Sequence, residues 1–247
     1  MIFCEPCAGM AAVSLWLYGA APPCSRIGAK TGYAKEIAGR LGLSPGPHEL
    51  HLVDADPELA NAIRRLLGSP KELAQEISVQ SEGEAKVVWE RARSAPKENL
   101  EGAAAWWIWV AGARGGIGGF KGLHKHRANV DGFIPSRESL VKRVREMPDV
   151  DAQILCSDCR TWEPEPGTIV YFDPPYAGTT GYGPCLERKE VLELAQKWRD
   201  RGCVVGVSER EPLEIPGAAH LCLTDKRKGQ SRRSLTRSLE EWLTVLE

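Results

Sequence analysis

LHLVDADPELANAIRR, residues 50–65, is the stretch from which the rest of the chain is read. It opens as a short apolar run that ends in Asp54, turns at Asp56-Pro57, and continues with Leu59, Ile63, Leu66 and Leu67 on one helical face. A continuous apolar run giving way to a 3.6-residue period marks a buried strand followed by an amphipathic helix. Asp56 suits the helix N-cap, with Pro57 at the first helical position. Asp54 is left as the acidic end of the strand.

Working outward, the same kind of run recurs at Ile2–Cys4, Ala152–Cys156, Thr168–Asp173, Cys203–Ser208, Ala219–Thr224 and Glu241–Leu246. Helical stripes fall between several of them: Ala34, Ile37, Ala38 and Leu41, then Val191, Leu194, Ala195 and Trp198. Strand and helix in alternation predict an α/β fold with an open, mostly parallel, seven-stranded sheet and helices on both faces. The alternation stops between Ser69 and Pro148. That stretch reads as helical to about Arg93 and then carries AWWIWV and the Gly-rich basic segment ARGGIGGFKGLHKHR. The sequence therefore divides into an α/β domain, 1–68 and 148–247, and an inserted helical and loop region, 69–147.

With 247 residues, 43% hydrophobic and 26% charged, the chain has the make-up of a globular protein and can bury a sizeable core. Disorder throughout, a collagen-like repeat and a coiled-coil fibre are excluded. No apolar run reaches the roughly 18 residues of a membrane span. MIFCEPCAGM has no basic n-region, so a secretory signal is not expected and a cytoplasmic location is. Eight cysteines without an export signal are expected as reduced thiols. Cys4/Cys7 and Cys156/Cys159 have the C-x-x-C spacing of zinc ligands, yet both pairs fall at expected strand ends, where Cys serves as a small apolar residue. No metal is expected. Net charge is near zero but uneven: residues 111–147 hold eight Lys/Arg against three Asp/Glu, and residues 225–237 hold six against one. Two basic stretches on a neutral chain suggest a local polyanion surface, or two solvated faces.

Three segments carry the chemistry. FCEPCAGMAAVSLWL, residues 3–17, is a strand ending in Glu5, a turn containing Gly9, and a helix. In open α/β sheets ligands bind outside the carboxyl ends of strands, and a Gly there lets backbone approach them. Asp54 ends the next strand, where an acidic residue commonly accepts hydrogen bonds from ribose hydroxyls. YFDPPYAGTTGYG, residues 171–183, is the most specific signal. Each proline fixes φ and lacks an N–H, so Pro174-Pro175 make a stiff corner after Asp173. The Asp173 carboxylate and the Pro174 carbonyl can then face one amino group as paired acceptors, and Tyr176 offers a face on which a base can stack.

These segments resemble the amino-methyltransferases that use S-adenosylmethionine, whose signature is (D/N/S)PP(Y/F), and within them the Dam-type DNA adenine-N6 methyltransferases. FCEPCAGMAAV is similar to the EPF-x-G-x-G segment under their cofactor, with Cys7 in place of Phe and Ala11 in place of the second Gly. LVDADPEL resembles their following acidic strand end, CSDCRTW the segment whose Asp contacts the cofactor's adenine, and NVDGFIPSRESL the stretch after their DNA-contacting insertion. RIGAKTGYAKEIAGRL, residues 26–41, resembles their Gly-Gly-Lys segment, displaced to follow the first strand.

The resemblance implies a methyltransferase (Rossmann-like) sheet that binds S-adenosylmethionine through Glu5, Pro6, Cys7, Ala8, Gly9, Lys30, Asp54 and Asp158. It implies catalysis by Asp173, Pro174, Pro175 and Tyr176 on an adenine flipped out of double-stranded DNA. The insertion would supply Arg114, Lys121, Lys125 and Arg127 for phosphates or base edges. Trp106, Trp107 and Trp109 are expected in the core, with base stacking as the alternative. A restriction endonuclease partner, or none, is compatible. RNA adenine methylation, cytosine-N4 methylation and an inactive nucleic-acid-binding relative remain open at this point.

Overall fold

The computed structural model describes residues 1–24, 26, 28–113, 116–120, 133–175, 186–224 and 240–247. These residues form an α/β structure with eight helices and one seven-stranded sheet. The strands are β1 (Ile2–Pro6), β2 (Glu49–Asp54), β3 (Ala152–Cys156), β4 (Ile169–Phe172), β5 (Val204–Glu209), β6 (Ala219–Cys222) and β7 (Trp242–Leu246). Their order is β3-β2-β1-β4-β5-β7-β6. β2, β1, β4 and β5 pair in parallel, whereas β7 lies antiparallel to both β5 and β6. The sheet is therefore mixed, an open and mostly parallel sheet in which β7 is the reversed strand. β7 enters between β5 and β6 in the opposite sense, and its apolar run, WLTVL, reads the same in either direction.

The chain forms two compact units. The first comprises Met1–Gly19, Lys30–Ala55 and Ser157–Glu247; the second comprises Ala20–Ala29 and Asp56–Cys156. The boundaries read from the sequence, 68/69 and 147/148, fall inside the second unit.

The first unit holds α1 (Ala12–Leu17), α2 (Ala34–Arg40) and α8 (Arg188–Asp200) with every strand except β3. β4 is buried at all four positions, as a central strand of β-branched and aromatic residues should be. α8 starts in a capping box in which Glu187 and Glu190 each accept the other's backbone N–H. Its stripe of Val191, Leu194, Ala195 and Trp198 is buried in one cluster with Val170, Phe172 and Val205. Trp198 meets Phe172 edge-on at 5.0 Å and Trp162 at 5.5 Å between ring centroids. A Cβ at Gly206 of β5 would lie 2.8 Å from Leu41 Cδ2, so glycine there allows the end of α2 to pack against the strand.

The second unit holds α3 (Pro57–Gly68), α4 (Pro70–Gln80), α5 (Ala85–Ser94), α6 (Leu100–Gly112), α7 (Phe133–Arg145) and β3. Asp56 caps α3 as its sequence position implies, its carboxylate accepting the Glu58 and Leu59 N–H groups at 3.0 and 3.2 Å. AWWIWV lies in α6, which is buried nearly all round. Trp106 and Trp107 are core residues, and the Trp107 indole N–H donates to the Ala62 carbonyl. β3 is largely exposed, and Cys156 with it, so this cysteine is not in the sheet core as its strand-end position suggested. No helix among the described residues is long and apolar enough to cross a membrane.

Candidate functional site

β1 and β4 adjoin where the strand order reverses: the chain leaves β1 for β2 on one side and returns as β4 on the other. Loops at the carboxyl ends of such a pair leave a crevice between them, the usual ligand position in a sheet of this kind. Glu5, Pro6, Cys7, Ala8, Gly9, Asp54, Asp173, Pro174 and Pro175 all belong to the carboxyl ends of β1, β2 and β4 or to the turns that follow. Every one of them belongs to the first unit, as do Lys30 and Asp158.

The turn after β1 is tightly wound. Cys7, Gly9 and Ala11 all have left-handed backbones, with φ of 59°, 51° and 49°. For Cys and Ala this conformation costs about 1–2 kcal/mol each, the kind of strain that collects at ligand sites. Ala11 stands where the resemblance has a second Gly, and it keeps the conformation that glycine favours. The turn is clasped to the end of β2: the Gly9 N–H donates to Asp54 Oδ2 at 3.0 Å, and the Ala8 N–H donates to the Val53 carbonyl at 3.0 Å. A side chain at Gly9 would meet nothing nearer than 3.9 Å, so the space beside this backbone is open.

Glu5 is 4% exposed and accepts the Ser14 N–H of α1, so its carboxyl ties the helix to the strand. Burial pushes it up from its ordinary 4.5 to about 7, against the Ser14 hydrogen bonds, and the Asp173 charge adds to the rise. The Cys7 thiol is pushed well up by its interaction with the neighbouring Cys159 and by burial, and the Asp54 and Asp173 charges add to the rise.

Asp173 follows β4 and is partly exposed, with Pro174 buried beside it. Its Oδ1 lies 2.8 Å from Lys30 Nζ, and the same ammonium lies 3.3 Å from Glu241 Oε1 at the start of β7. Lys30 is buried, 7% exposed at its side chain. Desolvation pulls its ammonium down, and Asp173 and then Glu241 more than offset this, leaving it above its ordinary value. Glu209, at the end of β5, is buried and raised chiefly by that burial, with Asp173 and Glu241 adding repulsion. Glu5, Glu209 and Glu241 thus surround Asp173 electrostatically, with Lys30 as the cation directly on it.

Asp158 follows β3 in sequence. Arg160 holds it, with Nη2 at 2.6 Å and Nε at 3.0 Å, and this hydrogen bonding draws its carboxyl below the usual range. The Ser157 N–H donates to the Asp54 carbonyl at 3.0 Å, bringing this segment to the end of β2. Among the described residues no group of three or more His, Cys, Asp or Glu is placed to hold a metal.

Tyr176, Arg114, Lys121, Lys125 and Arg127 lie outside the described residues. Glu209 and Glu241 carried no signal in the sequence. Each is a polar residue at the edge of an apolar run, and only the insertion of β7 beside β5 brings Glu241 to Lys30. No family model matches the chain, and no curated protein matches it.

Proposed function

We propose that this protein transfers a methyl group from S-adenosylmethionine to the N6 amino group of an adenine in double-stranded DNA. One observation carries the reading: a partly exposed aspartate, followed by two prolines, ends β4 at the strand-order reversal and stands among other carboxyls. The run β3-β2-β1-β4-β5 has the order of a doubly wound nucleotide-binding sheet, which favours an adenosine-bearing ligand and a Rossmann-like fold.

The donor set fits that cofactor. Asp54 spends Oδ2 on Gly9, and a carboxylate has acceptor sites enough to take ribose hydroxyls as well. Asp158 would meet the purine amine while still held by Arg160. The acid-rich surroundings of Asp173 suit a positively charged sulfur. Cys7, Ala8 and Gly9 supply the strained, open backbone over which the cofactor would lie. When bound, S-adenosylmethionine supplies an electrophilic methyl group and a neutral leaving group.

The protein's own task is then alignment. An exocyclic adenine nitrogen is a poor nucleophile, because its lone pair is delocalised into the ring. Asp173 and the Pro174 carbonyl would accept hydrogen bonds from its two N–H groups, which favours a pyramidal nitrogen with its lone pair directed outward; the N–C bond forms as the S–C bond breaks, and the methylated nitrogen then loses one proton to solvent. The stiff diproline fixes where those acceptors sit. A base inside a duplex cannot reach such a crevice, so the target is extruded at a cost of a few kcal/mol, and Tyr176 stacks on it. The basic residues Arg114, Lys121, Lys125 and Arg127 contact the DNA.

Asp173→Ala tests this assignment. Methyl transfer to DNA should be abolished, while the rise in melting temperature on adding S-adenosylmethionine is largely retained. Equal loss of both would remove Asp173 from the chemistry.

A further inference from the structure

We propose that Cys7 and Cys159 are a modification site: a peroxide joins them in a reversible disulfide that closes the turn after β1 to S-adenosylmethionine. The closure rests on the reading of that turn as the surface over which the cofactor lies. Neither cysteine is in a disulfide. Backbone bonds bring both to one strand end. The Ala8 N–H donates to the Val53 carbonyl and the Gly9 N–H to Asp54 Oδ2, which fixes the segment carrying Cys7 to the end of β2. The Ser157 N–H donates to the Asp54 carbonyl, which fixes the segment carrying Cys159 to the same end. Cys159 is buried in the apolar cluster that holds the α8 stripe, and Cys7 packs against that cluster. Among the groups around the Cys7 thiol, Cys159 has the largest influence on it.

Each C-x-x-C pair thus sends one member to this place. Cys4 is wholly buried within β1, and Cys156 is exposed on β3, the end strand. Cys7 is half-buried and Cys159 is 6% exposed, so a peroxide meets Cys7 first. The Cys7 sulfur, as its thiolate, attacks one peroxide oxygen. The O–O bond breaks, leaving a sulfenic acid on Cys7 and releasing water. The Cys159 sulfur then displaces that oxygen as a second water, and the S–S bond forms. The two thiols together lose two electrons and two protons, and the peroxide takes up both. Cys7 holds its proton firmly, so the first step is slow and the pair stays reduced until peroxide persists. Bonding draws the two sulfurs closer than neighbouring thiols lie, and one segment shifts across the end of β2. Cys7 already has a left-handed backbone, and Ala8 and Gly9 follow it directly. The shift therefore moves the backbone under the cofactor and ties it to the residue after Asp158.

The test uses the full-length protein, reduced and then treated with hydrogen peroxide. Remaining thiols are blocked by alkylation, and peptides are mapped by mass with fragmentation. Cys7 and Cys159 should be found linked, and dithiothreitol should remove the link. In the oxidised protein most of the rise in melting temperature on adding S-adenosylmethionine should be lost, and dithiothreitol should restore it. Cys159→Ser and Cys159→Ala should each keep that rise after peroxide, whereas Cys156→Ser should lose it as the wild type does. A link of Cys7 to Cys4 or of Cys159 to Cys156, or oxidation without any link, would overturn the proposal. So would a Cys7–Cys159 link that leaves the stabilisation intact. Loss of the rise in both Cys159 variants would assign the effect to the Cys7 sulfenic acid alone and overturn the disulfide as its cause.

Failure of the reading of the site would look different. Reduced wild-type protein that gains no stability from S-adenosylmethionine would remove the cofactor from this turn, and the closure with it. The peptide map of the oxidised wild type would still decide whether Cys7 and Cys159 join.

Discussion

Replacing Glu5 by Gln should change how stability depends on pH, in a direction and by an amount set by where the carboxyl lies. Glu5 is 4% exposed in a central strand, and burial raises it from 4.5 to about 7. A group raised in the folded state holds its proton longer there than in the unfolded chain. Its contribution is complete below about pH 4.5 and is lost as the pH rises through about 7. At about 1.4 kcal/mol per pKa unit, a rise of this size corresponds to about 3 kcal/mol. Gln keeps an acceptor for the Ser14 N–H and cannot ionise. The wild type should therefore lose about 3 kcal/mol relative to Glu5→Gln between about pH 5 and about pH 8. Urea unfolding of both proteins across that range gives the difference directly. Two stability curves that run parallel would show that burial does not raise the Glu5 carboxyl.

Three further outcomes follow from particular contacts. A Cβ at Gly102 would lie 2.5 Å from the Lys97 Cα and 2.6 Å from the Pro96 carbonyl oxygen, backbone that cannot easily yield. Gly102→Ala should therefore lower stability by at least about 1–3 kcal/mol in thermal unfolding, and an unchanged melting temperature would contradict that packing. Ala11 has the left-handed φ of 49°, so Ala11→Gly should be neutral or stabilising, whereas Ala12→Gly, one residue into α1, should cost about 1 kcal/mol; equal effects would argue against the strained turn. Lys30→Met should destabilise by about 3–5 kcal/mol in denaturant unfolding, because it removes a buried ammonium from two carboxylates, Asp173 and Glu241. A loss well below 1 kcal/mol would mean that the pair is solvated.

Much of the fold can be read from the sequence, because each strand is a short apolar run bounded by turn residues. All seven runs form strands, and the three amphipathic stripes around Leu59, Ile37 and Leu194 are buried helix faces. Strand direction is another matter. WLTVL is buried at four of its five positions, and nothing in such a run distinguishes a parallel from an antiparallel neighbour. The AWWIWV stretch shows no helical period because almost every side of α6 is covered, so its helix is visible only in the structure. Cys156 differs from its expected burial because β3 is the end strand in the sheet order and is exposed along much of its length.

The site divides in the same way. Asp173, Asp54 and Gly9 could be found because each belongs to a local pattern, a strand end followed by a proline, an acid or a turn. The Ala11 departure looked like a lost glycine, yet the backbone there is left-handed all the same. Glu241 could not be found, since its contact with Lys30 depends on where β7 enters the sheet. Pairings between distant segments leave no trace in local period or spacing.

The most direct test of the account is to incubate the wild-type protein with duplex DNA and methyl-labelled S-adenosylmethionine, digest the DNA to nucleosides and identify the labelled product. Label is expected on N6-methyladenosine of the deoxy series and on no cytosine product. DNA free of label, or label confined to cytosine or to RNA supplied in competition, would contradict it.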